Sequence, residues 1–143
     1  VEDVTEMNGM SYNPSGCTAL YDAMGISLNA LRPYVKDNDQ VLVTIVTDGY
    51  ENASKEYNGK AIKALVDELK REGWVFAYVG ANQDVEAVAA KISITNVMNF
   101  DATSHGTVVM SSKLASARSR LFDRIADRCF CPSEANEDFF KEE

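Results

Sequence analysis

Residues 40–47, Gln-Val-Leu-Val-Thr-Ile-Val-Thr, form an apolar run that does not alternate with polar positions, and residues 74–79, Trp-Val-Phe-Ala-Tyr-Val, form a second. The β-branched content of the first suits a parallel strand covered on both faces. Between them Ile62, Leu65, Val66 and Leu69 recur at helical spacing, and Lys60, Lys63, Asp67, Lys70 and Arg71 occupy the remaining faces. Gly73 supplies a helix stop directly before the second strand. Upstream, Leu20, Met24, Leu28 and Leu31 make an apolar stripe that ends near Pro33, which predicts a helix over 18–31. Downstream, Val85, Val88, Ala89 and Ile92 repeat the spacing, and residues 94–100 read as a third strand. Met110, Leu114, Ala117, Leu121 and Ile125 then share one face of a long last helix, with Arg118, Arg120, Arg124 and Arg128 largely off it. The alternation predicts an α/β layered fold with parallel strands near 41–47, 74–79 and 94–100.

Length and charge narrow the classes. The chain has 143 residues, 45% of them apolar, which is enough for one core and too little for two full domains. Residues 1–131 read as that domain. Residues 132–143 carry five acids and one lysine and are expected to be an acidic C-terminal tail, frayed or loosely docked. Lys plus Arg total 14 against 22 for Asp plus Glu, a formal net charge of -8 that lacks the cationic footprint of a nucleic-acid binder. No run approaches the roughly 18 apolar residues of a membrane span, and no basic segment followed by an apolar stretch opens the chain. Three cysteines cannot all pair with one another, so a reducing cytoplasm is the expected setting.

In an open parallel sheet, ligands bind beyond the carboxyl ends of the strands, where helix amino termini point inward. That rule selects three loops: residues 47–52 (Thr-Asp-Gly-Tyr-Glu-Asn), 13–18 (Asn-Pro-Ser-Gly-Cys-Thr) and 80–84 (Gly-Ala-Asn-Gln-Asp). Each has a plain structural reading: Asp48-Gly49 as a turn, Ser15 or Thr18 as a helix cap, Gly80-Ala81-Asn82 as a tight connection. Taken together, Thr18 and Asp48 are hard oxygen donors on adjacent loops, the beginning of a Mg²⁺ site that keeps several waters.

At these residues the chain resembles the von Willebrand factor type A domains. Residues 16–23, Gly-Cys-Thr-Ala-Leu-Tyr-Asp-Ala, are similar to the family's second metal-site segment, in which Gly-x-Thr opens a helix. Residues 43–49, Val-Thr-Ile-Val-Thr-Asp-Gly, are similar to its third, and residues 76–80 to its next strand, so the resemblance runs from about residue 12 to about residue 100. It implies a three-layer, Rossmann-like parallel sheet with helices on both faces. The family's first metal segment, Asp-x-Ser-x-Ser, does not occur. The chain is therefore expected to enter the domain partway, its amino-terminal part incomplete or supplied by another polypeptide.

The resemblance further implies that Thr18 binds Mg²⁺ (or Mn²⁺ or Ca²⁺) through its hydroxyl and Asp48 directly or through a water. An acidic group of a protein partner then completes the octahedron, so the chain is an adhesion-type binding module and no reaction is implied. With only two of the expected ligands, the site is also expected to stand empty or degenerate in this chain. One alternative is a phosphoryl-transfer enzyme with Asp48 as acceptor, although Tyr50 stands where dehalogenase-type phosphatases resemble Asp-x-Asp. The other is a purely structural or assembly subunit. The resemblance also places strand 41–47 at a sheet edge lacking its neighbour, to be covered by the missing N-terminal segment or by a second copy. His105, the sole histidine, reads as a loop or capping residue, and Cys129-x-Cys131 offers half of a zinc set at most.

Overall fold

A computed structural model of the chain describes residues 16–81 and 84–141. Its elements follow the predicted alternation: α1 (Leu20–Leu31), a 3₁₀ turn (Arg32–Tyr34), β1 (Leu42–Thr47), α2 (Gly59–Arg71), β2 (Val75–Gly80), α3 (Val85–Lys91), β3 (Val97–Asn99), α4 (Ser104–Ala126) and α5 (Pro132–Asp138). The three strands form one parallel sheet in the order β1-β2-β3, with Leu42 opposite Val75, Thr47 opposite Gly80 and Tyr78 opposite Val97.

Because side chains alternate across a strand, β2 feeds two cores. Phe76 and Tyr78 pack with Ile45 against the stripes of α1, α2 and α3, including Leu28, Val66, Leu69 and Ala89. Val75 and Ala77 face the other way, onto Ala117 and Leu121 of α4 and Ala135 and Phe139 at α5. The result is three layers, with helices on both faces of the sheet. Every residue of β2 is buried, as befits a central strand. β1 is different. Among the described residues it pairs with β2 alone, and Val46 is 52% exposed.

Helix ends explain the loop placement. Asn58, Asp84 and Thr103 accept hydrogen bonds from the N–H groups of Ala61, Ala87 and Gly106, capping α2, α3 and α4. Gly73 does stop α2: at φ +92° it sits in a paired turn in which its own N–H reaches Lys70 O and that of Trp74 reaches Leu69 O. Ser93 (φ 60°) ends α3 and Arg128 (φ 58°) ends α4 with the same two bonds, and neither has a glycine to announce it.

Two expectations need correction. The third strand is Val97–Asn99 rather than 94–100, since Ile94 is held in the turn ending α3 and the Asn96 side chain is engaged elsewhere. Over its described residues, 132–141, the acidic segment is no frayed tail: α5 docks on β2, with Ala135, Asn136 and Phe139 buried. The reason is a pair of buried amides. Asn136 Oδ1 accepts from Phe76 N–H at 3.0 Å and its Nδ2 donates to Trp74 O and Pro132 O, each at 2.9 Å. Asn96 Nδ2 donates to Phe76 O and Ala135 O, and Asn96 Oδ1 accepts from Phe139 N–H. These side chains take the place of a strand along the first half of β2, where β3 has not yet begun, and satisfy main-chain groups that burial would otherwise leave orphaned.

Candidate functional site

The carboxyl end of β1 carries the site. Thr47 closes the strand, and its hydroxyl donates to Gly49 O at 3.1 Å, turning the chain sharply so that Asp48 projects into solvent. Thr18, half-buried, arrives from the segment that opens α1. Its N–H donates to Asn52 Oδ1 at 2.9 Å, and Asn52 N–H donates back to Thr18 O at 3.0 Å. That reciprocal pair pins the two loops together. A Cβ placed on Gly49 would lie 3.1 Å from Thr18 Oγ1, so the missing side chain at 49 is what allows the hydroxyl to approach. Gly16 has φ +96°, a conformation open to glycine, at the entry to this segment.

Thr18 does not cap α1. The N-cap position is Ala19, with no side-chain cap bond. The first-turn N–H groups are met instead from the loop after β1: Tyr21 N–H donates to Glu51 Oε2 at 2.8 Å and Asp22 N–H to Ser54 Oγ at 3.0 Å. Glu51 also accepts from the N–H groups of Ala53 and Ser54 and from the Ser54 hydroxyl. Asp22 returns the arrangement, accepting from the N–H groups of Lys55, Glu56 and Tyr57 at 2.8–2.9 Å. The Tyr57 ring then lies on Gly25, where a Cβ would fall 2.5 Å from three ring carbons, and Tyr57 Oη accepts from Asn29 Nδ2. Residues 51–57 thus form a strap fastened along α1.

The two carboxyls that fasten the strap, Asp22 on α1 and Glu51 on the strap, titrate below their ordinary values. For Asp22 the N–H of Lys55 leads, partial burial opposes it, and the N–H groups of Tyr57 and Glu56 add to the lowering. For Glu51 burial pushes upward, and the hydrogen bonds from Ser54, Tyr21 and Ala53 outweigh it. Nothing in a local pattern marks the link between α1 and the strap, because the bonds that join them span 30 to 35 positions.

Beside Asp48 an open cleft of about 620 Å³ runs between the end of β1 and the start of α4, with Val46, Phe100 and Met110 supplying apolar wall and Thr103, Ser104 and Thr107 hydroxyls. The chemistry of the donor set suits a hard cation: a hydroxyl and a carboxylate, with Asp48 making no hydrogen bond or ion pair among the described residues. The set is small. No group of three or more His, Cys, Asp or Glu side chains gathers among the described residues.

The other candidates come apart. His105 lies in the first turn of α4, whose cap is Thr103, so the histidine is neither a loop nor a capping residue. The Cys129 and Cys131 thiols face Asp127 O and Ser133 Oγ respectively and are free. Cys17 is also free. Residues 13–15 and 82–83 of the predicted loops lie outside the described residues. No helix among the described residues is long and apolar enough to cross a membrane. Comparisons with protein-family models, curated proteins and solved structures return no match for this chain. Fold and site define an α/β three-layer protein with a parallel sheet and a polar loop cluster at the carboxyl end of β1, the edge strand among the described residues.

Proposed function

We propose that this chain is a divalent-cation-dependent protein-binding module. Thr18 and Asp48 hold Mg²⁺ (or Mn²⁺ or Ca²⁺), waters fill most of the remaining positions, and an acidic group of a protein partner binds the metal directly. What supports this reading is the placement of Thr18: the N-cap of α1 is Ala19 with no side-chain cap bond, and the Thr18 hydroxyl approaches Gly49, the residue after Asp48, whose carboxylate makes no hydrogen bond or ion pair among the described residues. The cation neutralises Asp48 and lets an acidic partner approach a chain of net charge -8, which would otherwise repel it. A reducing, cytoplasmic setting agrees with three free thiols.

Mn²⁺ titration followed by paramagnetic broadening or calorimetry tests the reading. Binding by the wild type that disappears in Asp48→Ala and weakens in Thr18→Ala is the expected result, and equal behaviour of all three overturns it. Turnover of a phosphate ester that vanished in Asp48→Asn would make the chain an enzyme instead.

The partner reading extends to β1, whose sequence Leu-Val-Thr-Ile-Val-Thr has none of the charges that guard an open edge. We propose that an upstream segment of the same gene product covers this edge, or failing that a second copy by strand addition. Slow exchange of the outward-facing β1 amides in the full gene product is expected. A well-behaved monomer whose β1 amides exchange freely would refute it.

A further inference from the structure

We infer that Glu51, Ser54 and Asp22 are positioning residues that set the cation affinity of the Thr18–Asp48 site without touching the cation, an inference that rests on the reading above. Three carboxylates approach this end of the sheet, and by composition alone Asp22 and Glu51 are as good metal ligands as Asp48. The hydrogen bonds separate them. Glu51 receives three main-chain N–H groups and one hydroxyl, and Asp22 receives three N–H groups, so both have their lone pairs engaged.

The arrangement is reciprocal. Glu51 reaches from the strap to the first turn of α1, Asp22 reaches from α1 to the far end of the strap, and the Ser54 hydroxyl joins them by accepting from Asp22 N–H while donating to Glu51. Between the last residue of β1, Thr47, and the anchored Glu51 only residues 48–50 remain, and Gly49 is itself tied to Thr47. The same anchoring holds the start of α1 and, through the Asn52 pair, Thr18. Asp48 is thus carried on a three-residue span fixed at both ends and set beside a fixed Thr18. A loop ordered before the ligand arrives does not lose that conformational freedom on binding.

The test is Mn²⁺ affinity of the full chain, measured well below the melting temperature, in wild type, Glu51→Gln and Ser54→Ala, with amide exchange at Tyr21 and Ala53 followed in parallel. Removing the Glu51 charge weakens cation binding by simple electrostatics, so the deciding variant is Ser54→Ala, which breaks the ring without altering charge. Affinity lower by roughly tenfold in Glu51→Gln and by several-fold in Ser54→Ala, with faster exchange at Tyr21, is the expected result. Weaker binding in Glu51→Gln with wild-type affinity in Ser54→Ala would mean charge alone and would overturn the inference, as would equal affinity in all three. A wild type that binds no Mn²⁺ would bring down the cation reading itself, and this inference with it.

Discussion

Replacing Asn136 by alanine removes the acceptor for Phe76 N–H and the donor to Trp74 O and Pro132 O. Trp74 is 3% exposed and Phe76 fully buried, so water does not replace the lost partners of these two main-chain groups. A buried orphan of this kind costs about 1–3 kcal/mol, and two of them about 2–6 kcal/mol. Alanine's better helix propensity offsets about 0.7 kcal/mol of that. A net loss of about 1–5 kcal/mol is a large fraction of the roughly 5–15 kcal/mol that stabilises an ordinary domain. Urea unfolding followed by far-ultraviolet circular dichroism reads it as a lower midpoint at unchanged slope. Asn136→Asp keeps the acceptor for Phe76 N–H but turns a carboxylate toward two carbonyl oxygens, and is expected to lose at least as much. A shift worth less than about 1 kcal/mol in Asn136→Ala would mean that α5 is not held by these bonds and that the β2 groups find other partners.

Three further outcomes are expected. Glycine to alanine inside a helix usually stabilises, yet Gly25→Ala drives a methyl into the Tyr57 ring, and a net loss of about 1–2 kcal/mol is expected from chemical denaturation; a stabilised variant would refute the strap packing. Arg128 is exposed at φ 58° and makes no ion pair among the described residues, so Arg128→Gly relieves left-handed strain and should raise stability by about 0.5–1 kcal/mol, visible as a higher melting temperature; a lower one would refute it. Asp22 and Glu51 have lowered folded-state pKa values, so the unfolded chain binds more protons in the acid range: their contribution is full above the ordinary carboxyl values of about 4 and is lost as pH falls through the lowered ones. Urea midpoints from pH 7 to pH 2 should therefore fall less steeply below about pH 4 in the Asp22→Asn, Glu51→Gln double variant, and an unchanged acid limb would contradict the strap bonding.

What the sequence determined by itself are features that reside in neighbouring residues. The stripes Leu20-Met24-Leu28 and Ile62-Val66-Leu69 bury one face because residues three and four apart share it, and they become α1 and α2. The apolar runs become β1 and β2, β2 dispensing with alternation because it is buried on both faces while Val46 of β1 stays exposed, and Gly73 ends α2 because it takes a positive φ without a Cβ penalty. The loops carrying Thr18 and Asp48 were legible as neighbours because helix starts and strand ends of a parallel sheet converge, and Gly49 is where the two loops approach. Tertiary structure alone decided the rest. Ser93 and Arg128 end helices in a left-handed conformation that non-glycine residues disfavour, each within a pair of main-chain hydrogen bonds like those at Gly73. Ala19 leaves α1 uncapped until Glu51 and Ser54 arrive from some 30 positions away, and the acidic segment after Pro132 is ordered by amides that answer β2 groups about 60 positions upstream. A polar side chain in a sequence carries its donors and acceptors but not the address of their partners. Burial makes those partners obligatory, and burial exists only once the chain has folded.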